Sequence, residues 1–287
     1  MLCRFIQGLT LPFIFTITIA YIGEETTGPA TSRLAGIYTS GAISGGFSGR
    51  VLSGVITQAA SWQAALLTIA GLSLAMAVLI TIALPREKNF RPLYGFSRAL
   101  ASFPRHLSNS KLLATYTAGF GVLFCLVAVF TFINFRLAAA PYQLGPAALG
   151  EIFVVYLSGV VMTPIAGRLA ARFGLRPIMA AATAAILAGL AISLAAPLPL
   201  ILLGLTLICG GIFIQQTLAT SFVSQVAREA KSTAVGLYVT FYYVGGSFGG
   251  FLPCSAWHEF GWLGCAGIVA AMQSIMFPIA MRFWVQK

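Results

Sequence analysis

What this sequence has least of is charge. Charged residues make up 8% of its 287 positions, with 6 acids against 17 Lys and Arg. Soluble domains carry about a quarter charged residues, so a chain this poor in them is excluded from keeping its whole outside wet. Cysteine is sparse too. Cys3, Cys125, Cys209, Cys254 and Cys265 form no CxxC pair and no Cys/His cluster, which excludes a metal centre built on them. They are expected to be buried as small hydrophobes, with a bridge between Cys254 and Cys265 across one short loop as the alternative. HExxH and paired embedded acids are missing, so no enzyme is expected. The lack of a Walker A loop excludes ATP-driven work by this chain alone. The first apolar run, Leu2 to Ile22, lacks the basic start and small-residue cleavage site of a signal peptide and is read as a mature span.

What is there is hydrophobicity: 59% of the residues are apolar. A membrane-crossing helix needs roughly 20 mainly apolar residues. Nine stretches qualify, at 2–22, 34–58, 62–84, 112–137, 148–167, 177–196, 198–223, 233–254 and 262–284. An all-α integral membrane bundle of nine spans follows, with the bilayer as its solvent. The net charge of +11 lies between the apolar runs rather than on a soluble face, so no nucleic-acid partner is expected.

The placement of the cations sets an orientation. Alternate loops hold Arg33; then Arg86, Lys88, Arg91, Arg98, Arg105 and Lys111; then Arg168, Arg172 and Arg176; then Arg228 and Lys231; and finally Arg282 and Lys287. The loops between them carry no Lys or Arg, and only Arg4, Arg50 and Arg136 fall within spans or at their ends. By the positive-inside rule the C-terminus is cytoplasmic. Residues 85–111 read as a basic linker lying along the membrane surface.

The chain also repeats itself. At an offset of 200, Gly36, Tyr38, Gly45, Gly46, Gly49 and Trp62 recur as Gly236, Tyr238, Gly245, Gly246, Gly249 and Trp262. Both copies point the same way, which is the parallel repeat of some transporters. Residues 1–84 supply three spans and 112–287 six, and the three match the last three of the six. The expectation is the remainder of a twelve-span plan whose first half lacks its opening three helices.

Two six-helix halves joined by a basic linker resemble the major facilitator superfamily. The run Gly167-Arg-Leu-Ala-Ala-Arg-Phe-Gly-Leu-Arg-Pro177 is similar to that family's cytoplasmic turn, with Ala171 at the usual acid position; Gly167, Arg168, Arg172, Gly174 and Arg176 carry the match. Gly41-x3-Gly45-Gly46-x2-Gly49-Arg50 resembles the fifth-helix motif of the drug/proton antiporter, sugar-efflux-like branch. Arg4-x2-Gln7-Gly8 resembles the fourth helix of the same branch. The resemblance implies a monomeric, multi-pass secondary transporter of a bacterial inner membrane. It would export small, partly hydrophobic molecules by alternating access, with the proton as coupling ion and no other cofactor. An inactive fragment is the competing reading, and a membrane-embedded enzyme a more distant one.

Individual residues carry the expected chemistry. Gly41, Gly45 and Gly49, like Gly245 and Gly249, recur every fourth residue on one helix face, where bare backbone allows helices to approach closely. They are assigned to packing and gating. Arg50 is costly inside a membrane and should face a partner or a wet cavity, unless it snorkels to the interface; Arg4 and Gln7 join it as coupling residues. If the family geometry holds, Tyr116, Phe120, Phe124, Asn134, Gln215, Gln216 and Tyr238 line the substrate cavity, with Thr117, Thr220 and Tyr242 near them. Asn134 and Gln215 stand out because an unpaired amide is expensive in lipid. Glu151 suits a helix N-terminus, and His106 and His258 read as interfacial.

Overall fold

The computed structural model describes residues 2–25, 29–85, 103–227 and 231–284. Most of the 85–111 linker, including Arg86 to Arg98, therefore lies outside the described residues. Long helices follow one another in chain order: α1 (Leu2–Glu25), α2 (Pro29–Ala59), α3 (Trp62–Ala83) and α4 (Ser110–Ala138). A short α5 (Pro146–Glu151) runs through a 3-10 turn (Ile152–Tyr156) into α6 (Leu157–Phe173). Then come α7 (Leu175–Ile192), α8 (Leu198–Val226), α9 (Lys231–Phe251) and α10 (Pro253–Phe283).

Each of the nine expected spans falls on helix. Six are long and apolar enough to cross a membrane: α3, α4, the joined stretch Pro146–Phe173, α7, α8 and α10. The other three, α1, α2 and α9, are helical over comparable lengths, but among the described residues only the six count as candidate spans. For α2 and α9 the reason is composition, because Gly, Ser, Thr and Tyr replace larger apolar residues along both.

The helix ends follow from local chemistry. Asn109 caps α4, its side-chain oxygen accepting from the backbone N–H of Lys111 at 3.0 Å. Ser61 does the same for α3 at Ala64, 3.2 Å away. Gly174 turns the chain between α6 and α7 with φ of 86°, a region that side chains other than glycine's rarely enter. From the next turn Arg176 donates to the carbonyl of Arg282 in the last turn of α10, where a cation suits the negative end of the helix. Arg168 and Arg172 are exposed, the latter over the Phe173 ring.

The core forms around α4, which packs against α8, α9 and α10. One apolar cluster joins the second half of α4 to the 3-10 turn, α7, α8 and the middle of α10. The other joins its first half to the far ends of α7, α8, α9 and α10. By contrast α3 buries only Ala65 and exposes Leu66, Leu67, Leu74, Met76 and Ile82. A helix apolar on all sides and left uncovered fits lipid, not water. Cys125, Cys209 and Cys265 are buried free thiols and Cys254 an exposed one.

Arg136, an exception to the charge pattern, has a structural use. Its guanidinium donates to the carbonyls of Ser193, Leu194 and Ala195 just past the end of α7. Trp262 completes the corner by donating to the Ser193 hydroxyl at 3.1 Å. Three orphan carbonyls met by one planar fork is a geometry lysine cannot copy. Arg136→Ala should lower stability by about 1–3 kcal/mol, and Arg136→Lys should recover only part, read as melting temperature in detergent.

Candidate functional site

The 200-residue repeat places two glycine-rich helices in different surroundings. On α9, a Cβ at Gly245 would lie against the Phe120 carbonyl oxygen and 2.7 Å from its carbonyl carbon, and one at Gly249 against the Phe124 carbonyl oxygen and 2.9 Å from its carbonyl carbon. Here helix backbones touch. On α2, a Cβ at Gly41, Gly45 or Gly49 would meet nothing within 4 Å among the described residues. The close approach expected of those three is made instead by Gly54 and Gly150. A Cβ at Gly54 would sit 3.2 Å from the Pro146 carbonyl carbon, and one at Gly150 would sit 2.8 Å from the Arg50 oxygen. Among the described residues α2 meets the 146–156 segment around Arg50, Val51, Gly54 and Gln58. The Gln58 side chain fastens the crossing by accepting from the Ala147 backbone N–H at 3.1 Å.

Beside that crossing the missing side chains leave room. An open groove of ≈ 610 Å³ lies there, lined by Gly45, Gly46, Gly49 and Arg50 of α2, Asn134 of α4, and Leu149 and Phe153 of the 146–156 segment. Arg50 donates to the Gly46 carbonyl at 2.8 Å. Its guanidinium lies over Phe153 and Tyr156, 4.5 and 5.2 Å from the ring centroids, a cation–π arrangement worth about 1 kcal/mol. Among the described residues no carboxylate pairs with it. Asn134 donates through its amide to the Phe130 carbonyl at 2.9 Å, while its buried Oδ1 has no partner.

The other residues expected to line a cavity lie elsewhere, inside helix packing. Tyr116 is fully buried and stacked on Phe241 at 5.4 Å. Phe120 and Phe124 stack 6.2 Å apart on α4. Tyr238 presses its ring into the notch left by Gly119 and stacks on Tyr242. The hydroxyls of Tyr116 and Tyr238 and the Gln216 Oε1 are buried with no hydrogen-bond partner among the described residues. Thr117 is half-buried and, like Thr220, bonds back to its own helix. Glu151, His258 and Glu259 are exposed, and His106 is buried. For Arg4 and Gln7 only the backbone, in α1, is among the described residues.

Gln215 belongs to a hub that sequence reasoning saw only half of. It is fully buried and exchanges amide hydrogen bonds with Gln273, at 2.8 and 3.2 Å. It also donates to Thr183 at 3.0 Å, and Gln273 reaches the Cys125 sulfur at 3.5 Å. Four helices (α4, α7, α8 and α10) are thus pinned at one point. The signal for Gln273 was present, since it is a lone amide inside the apolar run 262–284. Gln273→Leu strands the Gln215 oxygen and should cost about 1–2 kcal/mol. In a double-mutant cycle with Gln215→Leu, read by thermal unfolding, a coupling of about 1 kcal/mol is expected. Strict additivity would show that the two amides do not act together.

A second groove, of ≈ 460 Å³, lies between α1 and α9 and holds none of the candidate residues.

Residues 1–250 match the family model described as Major Facilitator Superfamily. The chain is similar to an uncharacterized transporter of Buchnera aphidicola subsp. Schizaphis graminum, 32% identical over 289 residues, which covers 99% of this chain and 68% of the relative. It is 32% identical over 283 residues to the inner membrane transport protein YnfM of Escherichia coli K12, covering 98% and 68%. It is also 32% identical over 270 residues to the uncharacterized MFS-type transporter YybF of Bacillus subtilis, covering 94% and 67%. The chain therefore spans about two thirds of the length of these relatives.

Proposed function

Because the chain belongs to the major facilitator superfamily and is a multi-pass membrane transport protein rather than an enzyme, we propose that it exports small, partly hydrophobic molecules in exchange for protons. The observation that carries this reading is the groove beside Arg50, lined by α2 from the first repeat and by α4 and the 146–156 segment from the second. A site shared between two parallel repeats opens to one side or the other as the repeats rock. The backbone contact between Gly54 and Pro146, with Gln58 on the Ala147 N–H, is the closed gate of that cycle.

Arg50, Asn134 and the faces bearing Gly41, Gly45 and Gly49 border the transport route. Gly245 and Gly249 hold the second repeat together, and the amide hub of Gln215 and Gln273 keeps it rigid while it turns. Coupling is assigned to Arg50 together with Arg4 and Gln7 of α1. The aromatic residues Tyr116, Phe120, Phe124 and Tyr238, with Gln216, line a neighbouring layer that is uncovered when the repeats separate. The protein works as a monomer in the inner membrane, with the C-terminus and the turn at Gly167 to Arg176 on the cytoplasmic side.

The test is accumulation of a panel of neutral, cationic and anionic dyes in a pump-deficient bacterial host. Expression of the chain should lower the accumulation of at least one dye, and a protonophore should remove the difference. An unchanged difference with the protonophore would reject proton coupling. No difference for any dye would reject export.

A further inference from the structure

The groove beside Arg50 offers a donor and an acceptor that nothing among the described residues answers. Arginine carries five N–H donors in a rigid plane, and among the described residues one of them is engaged, on the Gly46 carbonyl. The plane is held by Phe153 and Tyr156, so it is ordered before any ligand arrives. No carboxylate among the described residues is paired to it. The group that best answers a stacked guanidinium is a carboxylate, which accepts two parallel bonds. Asn134, on the same wall, gives one of its two amide N–H groups to the Phe130 carbonyl, and its buried Oδ1 accepts from no described residue. A hydroxyl or N–H on a ligand would answer that oxygen. Ile69, Pro146, Leu149 and Phe153 make the remaining wall apolar.

We infer that this groove binds a small organic anion: a carboxylate on an apolar or aromatic body that also carries a hydrogen-bond donor. Three other classes fit poorly. A cation would meet Arg50. A polyanion would find no second cation among the described lining residues. A sugar would leave most of its hydroxyls against hydrocarbon. The inference rests on the transport reading and names the substrate class of that same site.

The experiment measures equilibrium binding of radiolabelled salicylate to the purified full chain in detergent. Benzoate (no donor), salicylamide (no charge) and benzylamine (a cation) serve as competitors. Saturable salicylate binding is expected, displaced by benzoate about tenfold less well and not displaced by salicylamide or benzylamine. Arg50→Gln should weaken binding about tenfold or more, with Arg50→Lys between the two. Asn134→Leu should erase the preference for salicylate over benzoate while benzoate still binds. If Arg50→Gln fails to give monodisperse protein, the Asn134→Leu selectivity ratio decides alone. Absence of saturable salicylate binding would overturn the inference. So would equal displacement by salicylamide, or a salicylate preference unmoved by Asn134→Leu. The same panel in vesicles separates the two claims. Movement of a cationic or neutral dye without salicylate binding rejects the anion class and leaves transport standing. Arg50-dependent binding with no compound moved keeps the site and rejects transport.

Discussion

Gly249→Val is expected to abolish the recovery of folded protein. The new side chain would be driven into the Phe124 backbone, whose carbonyl carbon and Cα lie 2.9 Å from the Cβ position. Backbone cannot rotate aside as a side-chain tip can, so α9 would have to lift off α4. One turn earlier Gly245 meets Phe120 in the same way, and the two contacts run in register along the pair. Overpacking a core costs about 1–3 kcal/mol and occasionally more. Here α4 is the centre of both apolar clusters, so the upper end applies. Gly249→Ala should cost about 2 kcal/mol even after the gain of up to about 1 kcal/mol in helix propensity. Gly45→Ala, on the matching position of α2, should change stability by less than about 0.5 kcal/mol or raise it, since its Cβ meets nothing. Detergent-solubilised protein, followed by size-exclusion profile and melting temperature, checks all three. Equal loss at Gly45 and Gly249 would mean that α2 and α9 share one environment.

That pair also shows what can be read from the sequence. The repeat, the spans and the glycine spacing are local or periodic features, and a chain that must satisfy its backbone inside lipid leaves them plainly visible. Which neighbour a glycine face meets is a long-range matter. The same spacing packs on α4 in one copy and opens a groove in the other. Arg50 and Asn134 were each legible as costly polar groups within apolar runs. That they share one groove follows only from the crossing at Gly54 and Gly150, residues with no distinguishing mark in the sequence. Gln273 was legible by the argument applied to Gln215, while its pairing with Gln215 depended on α8 and α10 meeting. Tyr116 and Phe124 read as cavity residues because aromatics suit both packing and ligands. The structure puts both in the packing of α4.

The second large effect concerns motion. If the crossing of α2 with the 146–156 segment is the gate, fastening it should stop turnover without harming the fold. Gln58 and Ala147 already meet at 3.1 Å through a side-chain oxygen and a backbone N–H. Cysteines at these two positions therefore fall within reach of a short reversible linker. The exposed Cys254 and the N-terminal Cys3 would first be replaced by Ser, leaving only the buried native thiols. The double variant gives up the Gln58 bond that fastens the crossing, so its own rate before linking is the reference for the linked chain. Linking should bring that rate to the background of empty vesicles.

The decisive measurement is transport in sealed vesicles by the Gln58→Cys/Ala147→Cys chain, using whichever compound of the dye panel moves fastest, before linking with a bis-methanethiosulfonate, after linking, and after reduction. Alternating access at this crossing predicts loss on linking and recovery with reductant. Full-rate transport by protein shown to be completely cross-linked would contradict it.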